Sequence, residues 1–383
     1  MLSGRLRVVH IITKLELGGA QQNTLHTVRN LNRSLFDPHL ITGKGGVLDE
    51  EAQQLADVSV HFCDSLVRSI HPWKDAVAYR HLLDLLVRLK PQIVHTHSSK
   101  AGILGRIAAA AAKVPVIVHT YHGFGFHRFQ NPIPFRLYAA LEKRVNRKTH
   151  HLIFVSEANR VWAEKLGLLQ GTSASLIRSG IEFQPFLKAE KDDELRSSLG
   201  IPAGAKLVGM IACLKPQKDP LTFAKAADRI LQERNDIYFI LVGDGRQRGA
   251  VARYVRKMKH SNHFLLIGWR RDIPKILPNL DVLVLTSLWE GLPRVLVEAA
   301  VAGVPAVASD IDGNREIIVK SKNGILAEPG DARDFARKII QSLSQPAKVN
   351  RETAPYIREE FNIDEMVCKQ EKLYLSLISA LSV

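Results

Sequence analysis

Residues 282–298 read Val282-Leu-Val-Leu-Thr-Ser-Leu-Trp-Glu290-Gly-Leu-Pro-Arg-Val-Leu-Val-Glu298, an apolar run followed by a short loop and a helical pattern. The four leading aliphatic residues predict a buried strand, and Pro293 suits the first turn of a helix, where a missing N–H costs nothing. The N–H groups from Leu292 to Val295 would then form an anion site, which the helix dipole strengthens. Glu290 and Glu298 flank this site and suit hydroxyl groups on either side of a diphosphate, whereas without this context they would be surface glutamates.

Strand-like and helical patterns alternate along the whole chain, which predicts parallel sheets built from β-α-β units. Several strand candidates are continuous runs of Val, Ile and Leu, as in strands that are buried on both faces. The predicted strands are Arg7–Ile12, Ile93–His95, Val116–Thr120, His151–Val155, Leu207–Ile211, Tyr238–Val242, Leu265–Ile267, Val282–Leu285 and Ala306–Ala308. The predicted helices are Gln21–Leu31, Trp73–Leu89, Gly102–Ala112, Phe135–Lys148, Leu221–Asn235, Arg294–Ala302 and Asp331–Leu343. The fold class is therefore α/β, with doubly wound sheets that bind ligands beyond the carboxyl ends of their strands.

The strand series predicts two domains, and the length of 383 residues favours the same division. A polar stretch with Pro185 and Pro202 precedes a second strand series that starts near residue 206. We expect residues 1–182 and 183–361 to form one Rossmann-like domain each, facing a central cleft. The segment 362–383 is amphipathic and helical, and we expect it to pack back on the first domain. Its candidate apolar positions are Met366, Leu373, Leu375 and Ile378.

The charge of the chain favours an anionic partner. The formal net charge is +15, and no acidic residue lies between Asp84 and Glu142, where seven basic ones occur. A nucleic acid, a phosphate-bearing ligand or an anionic membrane surface would suit this bias, and so would a basic face that only keeps the protein soluble. The segment 136–148 is a basic amphipathic helix whose flank could dock on lipid head groups. Its apolar stripe is expected to face the core and consists of Leu137, Leu141 and Val145.

The cysteines and the hydropathy favour a cytoplasmic location. Cys63, Cys213 and Cys368 are widely spaced and odd in number, which argues against a disulfide framework or a zinc site. No apolar run reaches the roughly 18 residues of a membrane span, and no signal peptide is recognised before the first predicted strand. A peripheral position on the inner face of the cell membrane would fit the basic first domain.

Two further stretches carry a family resemblance. They read Glu298-Ala-Ala-Val-Ala-Gly-Val-Pro-Ala-Val-Ala-Ser-Asp-Ile-Asp-Gly-Asn-Arg-Glu316 and Asn323-Gly-Ile-Leu-Ala-Glu-Pro-Gly-Asp331. With the segment 282–298 they resemble the C-terminal signature of the family 4 retaining glycosyltransferases, and the similarity runs through nearly the whole chain. The resemblance implies the GT-B fold, a UDP- or GDP-sugar donor and no need for a metal or other cofactor. Within it, Asp310-Ile-Asp312 is a strand-to-loop connection rather than a metal-binding pair.

The resemblance also implies roles for the loop and helix after Val282–Leu285. Glu290 is expected to contact hydroxyl groups of the transferred sugar, and Glu298 the ribose of the nucleotide. The donor-binding set at the start of this helix is Gly291, Leu292, Pro293, Arg294, Val295 and Glu298.

A second candidate element follows the first strand of the second domain and reads Ala212-Cys213-Leu-Lys215-Pro-Gln-Lys218. A lysine here can neutralise a leaving diphosphate, since a hydrogen bond to a charged group contributes about 1.5–3 kcal/mol. Lys218 is therefore predicted to bind the donor and to act in catalysis. The family usually has an arginine five residues before this lysine, where this chain has Cys213, and a thiol cannot form a bidentate pair with phosphate. Lys215 could substitute, or the site could be weaker or tuned to another donor.

Two glycine-containing loops complete the predicted donor site. Gly18 and Gly19 follow the first strand, where paired glycines let the backbone approach a ligand closely. The pair could equally be a plain tight turn, but the resemblance implies that it closes over the diphosphate. Trp269 and Arg270 follow Leu265–Ile267 in a loop where the family usually holds the nucleotide base. Arg270 and Arg294 could each equally be surface arginines.

The histidine-rich segment His119-Thr-Tyr-His122 follows an apolar strand and sits at its carboxyl end. The resemblance places His122 beside the reacting sugar, as a polar contact that helps to orient the reaction. His95, His97, His119 and His122 lie on different strands, without the ligand spacing typical of zinc, so we expect no metal. The segment around Lys100 is similar to enzymes that assemble surface polysaccharides on lipid carriers. Lys100 could contact an acceptor phosphate or be a solvated lysine at a helix start.

The sequence therefore predicts a retaining glycosyltransferase that moves a sugar from a nucleotide diphosphate to an acceptor hydroxyl, with a lipid-linked saccharide as the preferred acceptor. Its proposed catalytic residues are His122, Glu290 and Lys218. One alternative is a weak or silent relative that only binds a nucleotide sugar, because of Cys213. The other is a nucleic-acid-binding protein, which only the basic charge supports, since no zinc-finger, RRM or helix-turn-helix signature is evident.

Overall fold

The structure contains two parallel β-sheets, one in each of two compact units. The computed structural model describes residues 4–126, 131–169, 171–345 and 354–381. The first unit contains the described residues of Met1–Gly180 and of Ile363–Val383, and the second contains those of Ile181–Asn362. The fold class is the α/β class predicted from the alternation of strands and helices.

The first unit has a seven-stranded sheet in the order β3-β2-β1-β4-β5-β6-β7, with every neighbouring pair parallel. Its strands are β1 (Leu6–Lys14), β2 (Phe36–Gly43), β3 (Ser59–Phe62), β4 (Ile93–His97), β5 (Val116–Tyr121), β6 (His151–Phe154) and β7 (Ser173–Leu176). Its first six helices are α1 (Gly19–Asn30), α2 (Asp49–Gln53), α3 (Pro72–Leu89), α4 (Ser99–Ala111), α5 (Pro132–Asn146) and α6 (Glu157–Lys165). The central strands are almost fully buried, as continuous aliphatic runs require.

The second unit has a six-stranded parallel sheet in the order β10-β9-β8-β11-β12-β13. Its strands are β8 (Lys206–Ile211), β9 (Ile237–Val242), β10 (Phe264–Gly268), β11 (Val282–Leu285), β12 (Ala306–Ser309) and β13 (Gly324–Ala327). Its helices are α7 (Gln184–Leu187), α8 (Asp193–Ser198), α9 (Pro220–Leu231), α10 (Arg248–Val255), α11 (Ile273–Ile276), α12 (Arg294–Ala302), α13 (Asp312–Ser321), α14 (Ala332–Ser344) and α15 (Ala354–Phe361). Both sheets reverse their strand order beside the first strand of the unit, where doubly wound sheets bind ligands.

The strand β2 was not predicted, because Pro38 stands within it. Pro38 lies opposite Val8 of β1, whereas the pairing of β2 with β3 begins only at His39. The backbone nitrogen of Pro38 therefore points to the side of β2 on which β3 has not yet begun. No hydrogen bond between strands is lost there, so the strand accommodates the proline.

The last helix, α16 (Ile363–Ala380), returns to the first unit. Its buried positions follow a spacing of three and four residues and include Met366, Gln370, Tyr374 and Ile378. They pack against aliphatic residues of the sheet, among them Val8. Tyr374 takes the central position, whereas the sequence pattern indicated Leu373 and Leu375, which are only half-buried. Among the helices of the described residues, none is long and apolar enough to span a membrane.

Candidate active site

Two loops of the second unit are joined at the carboxyl edge of the sheet. One follows β8 and the other follows β11, and these strands are neighbours. The Thr286 hydroxyl lies 3.0 Å from the carbonyl oxygen of Lys218 and 2.8 Å from that of Asp219. The Gln217 side-chain amide donates to the Trp289 carbonyl at 2.9 Å. The two loops therefore hold their side chains in one fixed arrangement.

Two predicted catalytic residues, Lys218 and Glu290, meet across these loops. The Lys218 ammonium donates to Oε1 of Glu290, and the Ser287 hydroxyl donates to the same oxygen at 2.6 Å. The Glu290 side chain is only 6% exposed, so these two donors stabilise its charge. The sequence predicted separate ligand contacts for Lys218 and Glu290, but it predicted neither their ion pair nor the part played by Ser287, since no pattern marks that serine.

Lys218 is positioned by the start of α9. Asp219 has a left-handed backbone with φ of 42°, and its carboxylate accepts from the Thr222 hydroxyl at 2.5 Å. Burial raises the pKa of the Asp219 carboxyl, although its hydrogen bonds with Thr222 act in the opposite direction. This capping interaction fixes the turn Pro216–Lys218 directly before the helix.

Cys213 is a half-buried free thiol just beyond β8. The Lys215 N–H donates to its carbonyl oxygen at 2.8 Å, so the backbone folds tightly here. The position at which the family usually has an arginine thus holds an uncharged side chain in the same loop as Lys218.

The start of α12 differs in detail from the expectation. The helix begins at Arg294, as predicted, but Pro293 is its N-cap with an extended backbone and therefore lies just before the first turn in which it was expected. Pro293 has no N–H to offer, and its carbonyl accepts from the Leu296 N–H at 3.0 Å. An anion at this helix start would therefore meet N–H groups of Leu292, Arg294 and Val295 rather than an unbroken run.

Arg294 and Glu298 form an ion pair one helical turn apart, with 3.8 Å between Nη2 and Oε1. Burial lowers the pKa of the Arg294 guanidinium and raises the pKa of the Glu298 carboxyl, while each charge favours the other. Arg294 is thus not a surface arginine, because it lies largely buried beside the loop that holds Glu290.

The helix α13 begins close to the Glu290–Gly291 loop. Asp312 is its first residue. The segment Asp310-Ile-Asp312 therefore connects a strand to a helix, whereas the sequence predicted a connection from a strand to a loop. Any Cβ at Gly313 would lie 2.5 Å from the Gly291 carbonyl oxygen, so only glycine fits at this point. No local sequence pattern indicates this contact, because α12 and β12 lie between the two glycines in the chain.

The loop after β10 lies at the same edge of the second sheet. Trp269 is 42% exposed. Arg270 pairs with Asp272 through two hydrogen bonds, of 2.8 Å from Nε and 2.5 Å from Nη2. These bonds raise the pKa of Arg270 and lower the pKa of Asp272. The Arg270 guanidinium is therefore already engaged within its own loop, and a base contact from it stays a prediction.

In the first unit, Gly18 and Gly19 lie at the start of α1. Gly18 is the N-cap, with an extended backbone, and Gly19 is the first helical residue. A Cβ at Gly18 would lie 2.6 Å from Oε1 of Gln21, so the glycine makes room for that side chain. The contact of this loop with a diphosphate stays a prediction.

Lys100 is not the solvated lysine that the sequence allowed as an alternative. Its ammonium donates to Asp75 Oδ1 at 2.5 Å and to the carbonyl oxygen of Ser69, and its side chain is 12% exposed. The pair joins the starts of α3 and α4. Any acceptor phosphate at Lys100 would have to compete with Asp75.

His122 follows directly after β5, and its Nε2 lies 3.1 Å from Nδ1 of His97. His10 lies opposite His95 in the register of β1 and β4. Ligand nitrogens of His10, His95 and His97 come within 4.8 Å of one another, so neighbouring strands create a cluster that linear spacing did not predict. Burial lowers the pKa of His122 to about 4 and that of His10 to about 3, so both rings are neutral near pH 7.

Known proteins resemble this chain over its whole length. Residues 191–360 match the family described as glycosyl transferases group 1, and residues 18–171 match a glycosyl transferase 4-like domain. An Escherichia coli UDP-Gal:alpha-D-GlcNAc-diphosphoundecaprenol alpha-1,3-galactosyltransferase is 33% identical over 98% of each chain. A Campylobacter jejuni N,N'-diacetylbacillosaminyl-diphospho-undecaprenol alpha-1,3-N-acetylgalactosaminyltransferase is 27% identical over 76% of this chain and 78% of its own. The crystal structure of Anabaena HepE with UDP and glucose has a TM-score of 0.81 at 20% identity, covering 97% of this chain and 100% of its own.

Proposed function

The chain belongs to the group 1 glycosyltransferases, and from this premise we propose that it transfers a sugar from a UDP-sugar to a diphosphoundecaprenol-linked saccharide, with retention of anomeric configuration. The name of the full-length Escherichia coli relative joins this donor class to this acceptor class. The single observation that carries the proposal is the contact of Lys218 with Glu290 at the carboxyl edge of the second sheet. A cation for phosphate and a carboxylate for hydroxyl groups stand side by side there.

Donor binding would separate Lys218 from Glu290. The two phosphates of a UDP-sugar offer a stronger partner to the Lys218 ammonium than Glu290 does, because they carry more charge. Once Lys218 turns to the diphosphate, Oε1 of Glu290 can accept a hydrogen bond from a sugar hydroxyl, while Ser287 still donates to it. The pair thus holds both side chains in place until the donor arrives.

The chemistry rests on stabilising the leaving diphosphate. The acceptor hydroxyl attacks the anomeric carbon from the face that the diphosphate leaves, and the departing phosphate oxygen takes the hydroxyl proton. Lys218 and the N–H groups at the start of α12 would stabilise the charge that develops on the leaving group. His122 is proposed as a polar contact of the transferred sugar. No step needs a metal, so we propose that the enzyme works without one.

Replacement of Glu290 by glutamine tests the donor site. Glu290→Gln keeps the size of the side chain but removes the charge that grips sugar hydroxyl groups and holds Lys218. We expect transfer to undecaprenyl-diphosphate-linked GlcNAc to fall at least a hundredfold, the effect of losing one strong charge-assisted contact, while the variant still folds. Glu233→Gln, at an exposed position at the end of α9, is the matched control and should retain full activity.

The same assay examines the substrates and the stereochemistry. UDP-, GDP- and ADP-sugars are compared as donors, and the anomeric configuration of the product is read by NMR. Turnover of Glu290→Gln at the wild-type rate, a preference for GDP-sugars or a β-linked product would each contradict the proposal. Binding of UDP-sugars without turnover by the wild type would instead support the silent relative, which the neutral Cys213 favours.

We further propose that the first unit docks on an anionic membrane, where a lipid-linked acceptor would lie. The N-terminal ends of α3 and α5 expose large apolar side chains, which are Ile70, Trp73, Ile133 and Leu137. The apolar stripe of α5 was expected to face the core, which holds for the buried Val145 but is wrong for Leu137, whose side chain is exposed. Exposed Arg136, Lys143 and Arg144 add positive charge to the same helix. Exposed apolar groups beside cations fit an anionic lipid surface.

Vesicle flotation tests this docking. Wild-type protein should float with vesicles that contain phosphatidylglycerol and stay behind with pure phosphatidylcholine, and salt should weaken the binding. The double variant Ile133→Ser and Leu137→Ser should lose flotation, whereas Val319→Ser, an exposed apolar position of the second unit, should not. Equal flotation of all three proteins would contradict the proposed surface.

A further inference from the structure

The interior of the first unit holds a continuous chain of hydrogen bonds that ends at His122. Nδ1 of His97 lies 3.1 Å from Nε2 of His122, and Nε2 of His97 lies 3.0 Å from Nδ1 of His10. Nε2 of His10 lies 3.5 Å from the Tyr374 hydroxyl. That hydroxyl also lies 2.5 Å from Nδ1 of His95 and 3.3 Å from Oε1 of Gln370. The chain therefore links a predicted catalytic residue to the C-terminal helix α16.

The imidazoles of His10, His95, His97 and His122, which belong to this hydrogen-bond chain, are neutral near pH 7. Burial is the main cause that lowers the pKa of His10 to about 3 and of His122 to about 4, and it holds the pKa of His95 and His97 well below the ordinary value. A neutral imidazole has one N–H donor and one acceptor nitrogen. The proton positions in neighbouring rings are therefore coupled. Donation along this chain of hydrogen bonds can run in only two directions, towards Tyr374 or towards His122.

The Tyr374 hydroxyl decides between the two directions. It has one proton and three neighbours, of which Gln370 Oε1 can only accept. When the proton goes to Gln370, or to the closest neighbour His95, the phenol oxygen is left to accept from His10. Only donation across the longest contact, 3.5 Å to His10, would reverse the chain.

The direction set by Tyr374 passes from ring to ring. His10 donates from Nε2 to Tyr374 and so accepts at Nδ1 from His97, and His97 in turn accepts at Nδ1 from Nε2 of His122. His122 is then protonated at Nε2 and carries a lone pair at Nδ1. This Nδ1 is buried and has no hydrogen-bond partner among the described residues.

We propose that His10, His97 and Tyr374 are positioning residues that hold His122 in its Nε2–H tautomer, so that Nδ1 accepts a hydrogen bond from a sugar hydroxyl. The proposal rests on the proposed function for the identity of the ligand, but not for the tautomer. The other tautomer would present an N–H at this position, so the sugar hydroxyl would have to accept a hydrogen bond instead of donating one, and its own proton would lose this acceptor. In this proposal the buried cluster of His10, His95 and His97 orders protons rather than holding a metal, because each of its ring nitrogens lies within hydrogen-bonding distance of another side chain.

The first test measures the tautomer directly. Long-range proton–nitrogen NMR of 15N-histidine-labelled full-length protein distinguishes protonated from bare ring nitrogens, with His122→Gln used to assign the signal. We expect Nε2–H for His122 in the protein without substrate. A His122 protonated at Nδ1 would overturn the proposal, whatever the activity of the enzyme. Tightly bound zinc that chelation removes, with displacement of the His10, His95 and His97 signals, would overturn it too.

The second test is a double-mutant cycle with Tyr374→Phe and His122→Ala. Tyr374→Phe should lower kcat/KM about tenfold, the rate equivalent of one hydrogen bond, and should add nothing once His122 is alanine. Independent losses in the double variant would mean that Tyr374 acts through stability alone and would overturn the proposal. Tyr254→Phe, which removes a hydroxyl bonded to Asp228 at 3.0 Å, is the control and should leave kcat/KM unchanged. A wild type that transfers no sugar would refute the proposed function, while the NMR result would still decide the tautomer.

Discussion

Replacing Gly313 by alanine would press the start of α13 against the loop that holds Glu290. The added Cβ would lie 2.5 Å from the Gly291 carbonyl oxygen and 3.3 Å from Cβ of Glu290, whereas ordinary contact begins at 3.4 Å. Helix and loop would have to separate by about 0.9 Å, and overpacking of this kind costs about 1–3 kcal/mol of stability. A displacement near 1 Å at a reacting group slows catalysis by about a hundredfold. We therefore expect Gly313→Ala to fold and to lose about a hundredfold in kcat/KM.

Initial rates of sugar transfer and urea unfolding followed by tryptophan fluorescence measure the two effects separately. Gly249→Ala is the matched control, since no atom lies within 4 Å of the added methyl and the residue is exposed in α10. Alanine in a helix should raise the stability of this control by about 0.5–1 kcal/mol without changing its activity. If Gly313→Ala kept the wild-type kcat/KM, the close packing of α13 on the loop would not position Glu290.

Two further predictions concern stability. Burial lowers the pKa of His10 to about 3 and of His122 to about 4, so the unfolded chain, with histidine pKa near 6.5, binds their protons first. The contribution of these histidines to the free energy of unfolding is therefore fully present above pH 6.5 and is lost as the pH falls, by about 1 kcal/mol for each histidine between pH 6 and 5. A midpoint of urea unfolding that stays constant over this range would contradict the neutral state of the buried histidines. Glu142→Gln leaves the buried Arg106 without its anion, 2.6 Å away, and should cost about 3–5 kcal/mol. The exposed control Glu157→Gln, which pairs with Arg160, should cost under about 1 kcal/mol, and equal losses would refute the contrast.

The sequence predicted the strands that form the centre of each sheet, because they are buried on both faces and so consist of unbroken aliphatic runs. It did not predict the short edge strands β3, β7 and β13, each of four residues. An edge strand needs fewer apolar residues, since one side has no partner. The predicted helix Arg294–Ala302 has the bounds observed.

The individual site residues could be predicted, but their partners could not. Lys218 and Glu290 were recognised from the loops that carry them, whereas their contact depends on β8 and β11 being neighbours in the sheet. His10 was not recognised at all, because its place opposite His95 depends on the register of β1 and β4. Register between distant strands is set by the packing of the whole sheet, which no local pattern encodes.

The position of α16 fixes the order in which the units can be completed during synthesis. Residues 363–380 leave the ribosome only after the whole second unit has been made, yet they belong to the core of the first. The second unit can therefore close its core while the first still lacks Tyr374, with the apolar residues around Val8 uncovered. Stalled translation before residue 363 would leave that surface open to chaperones, and the histidine chain of the nascent enzyme would form last.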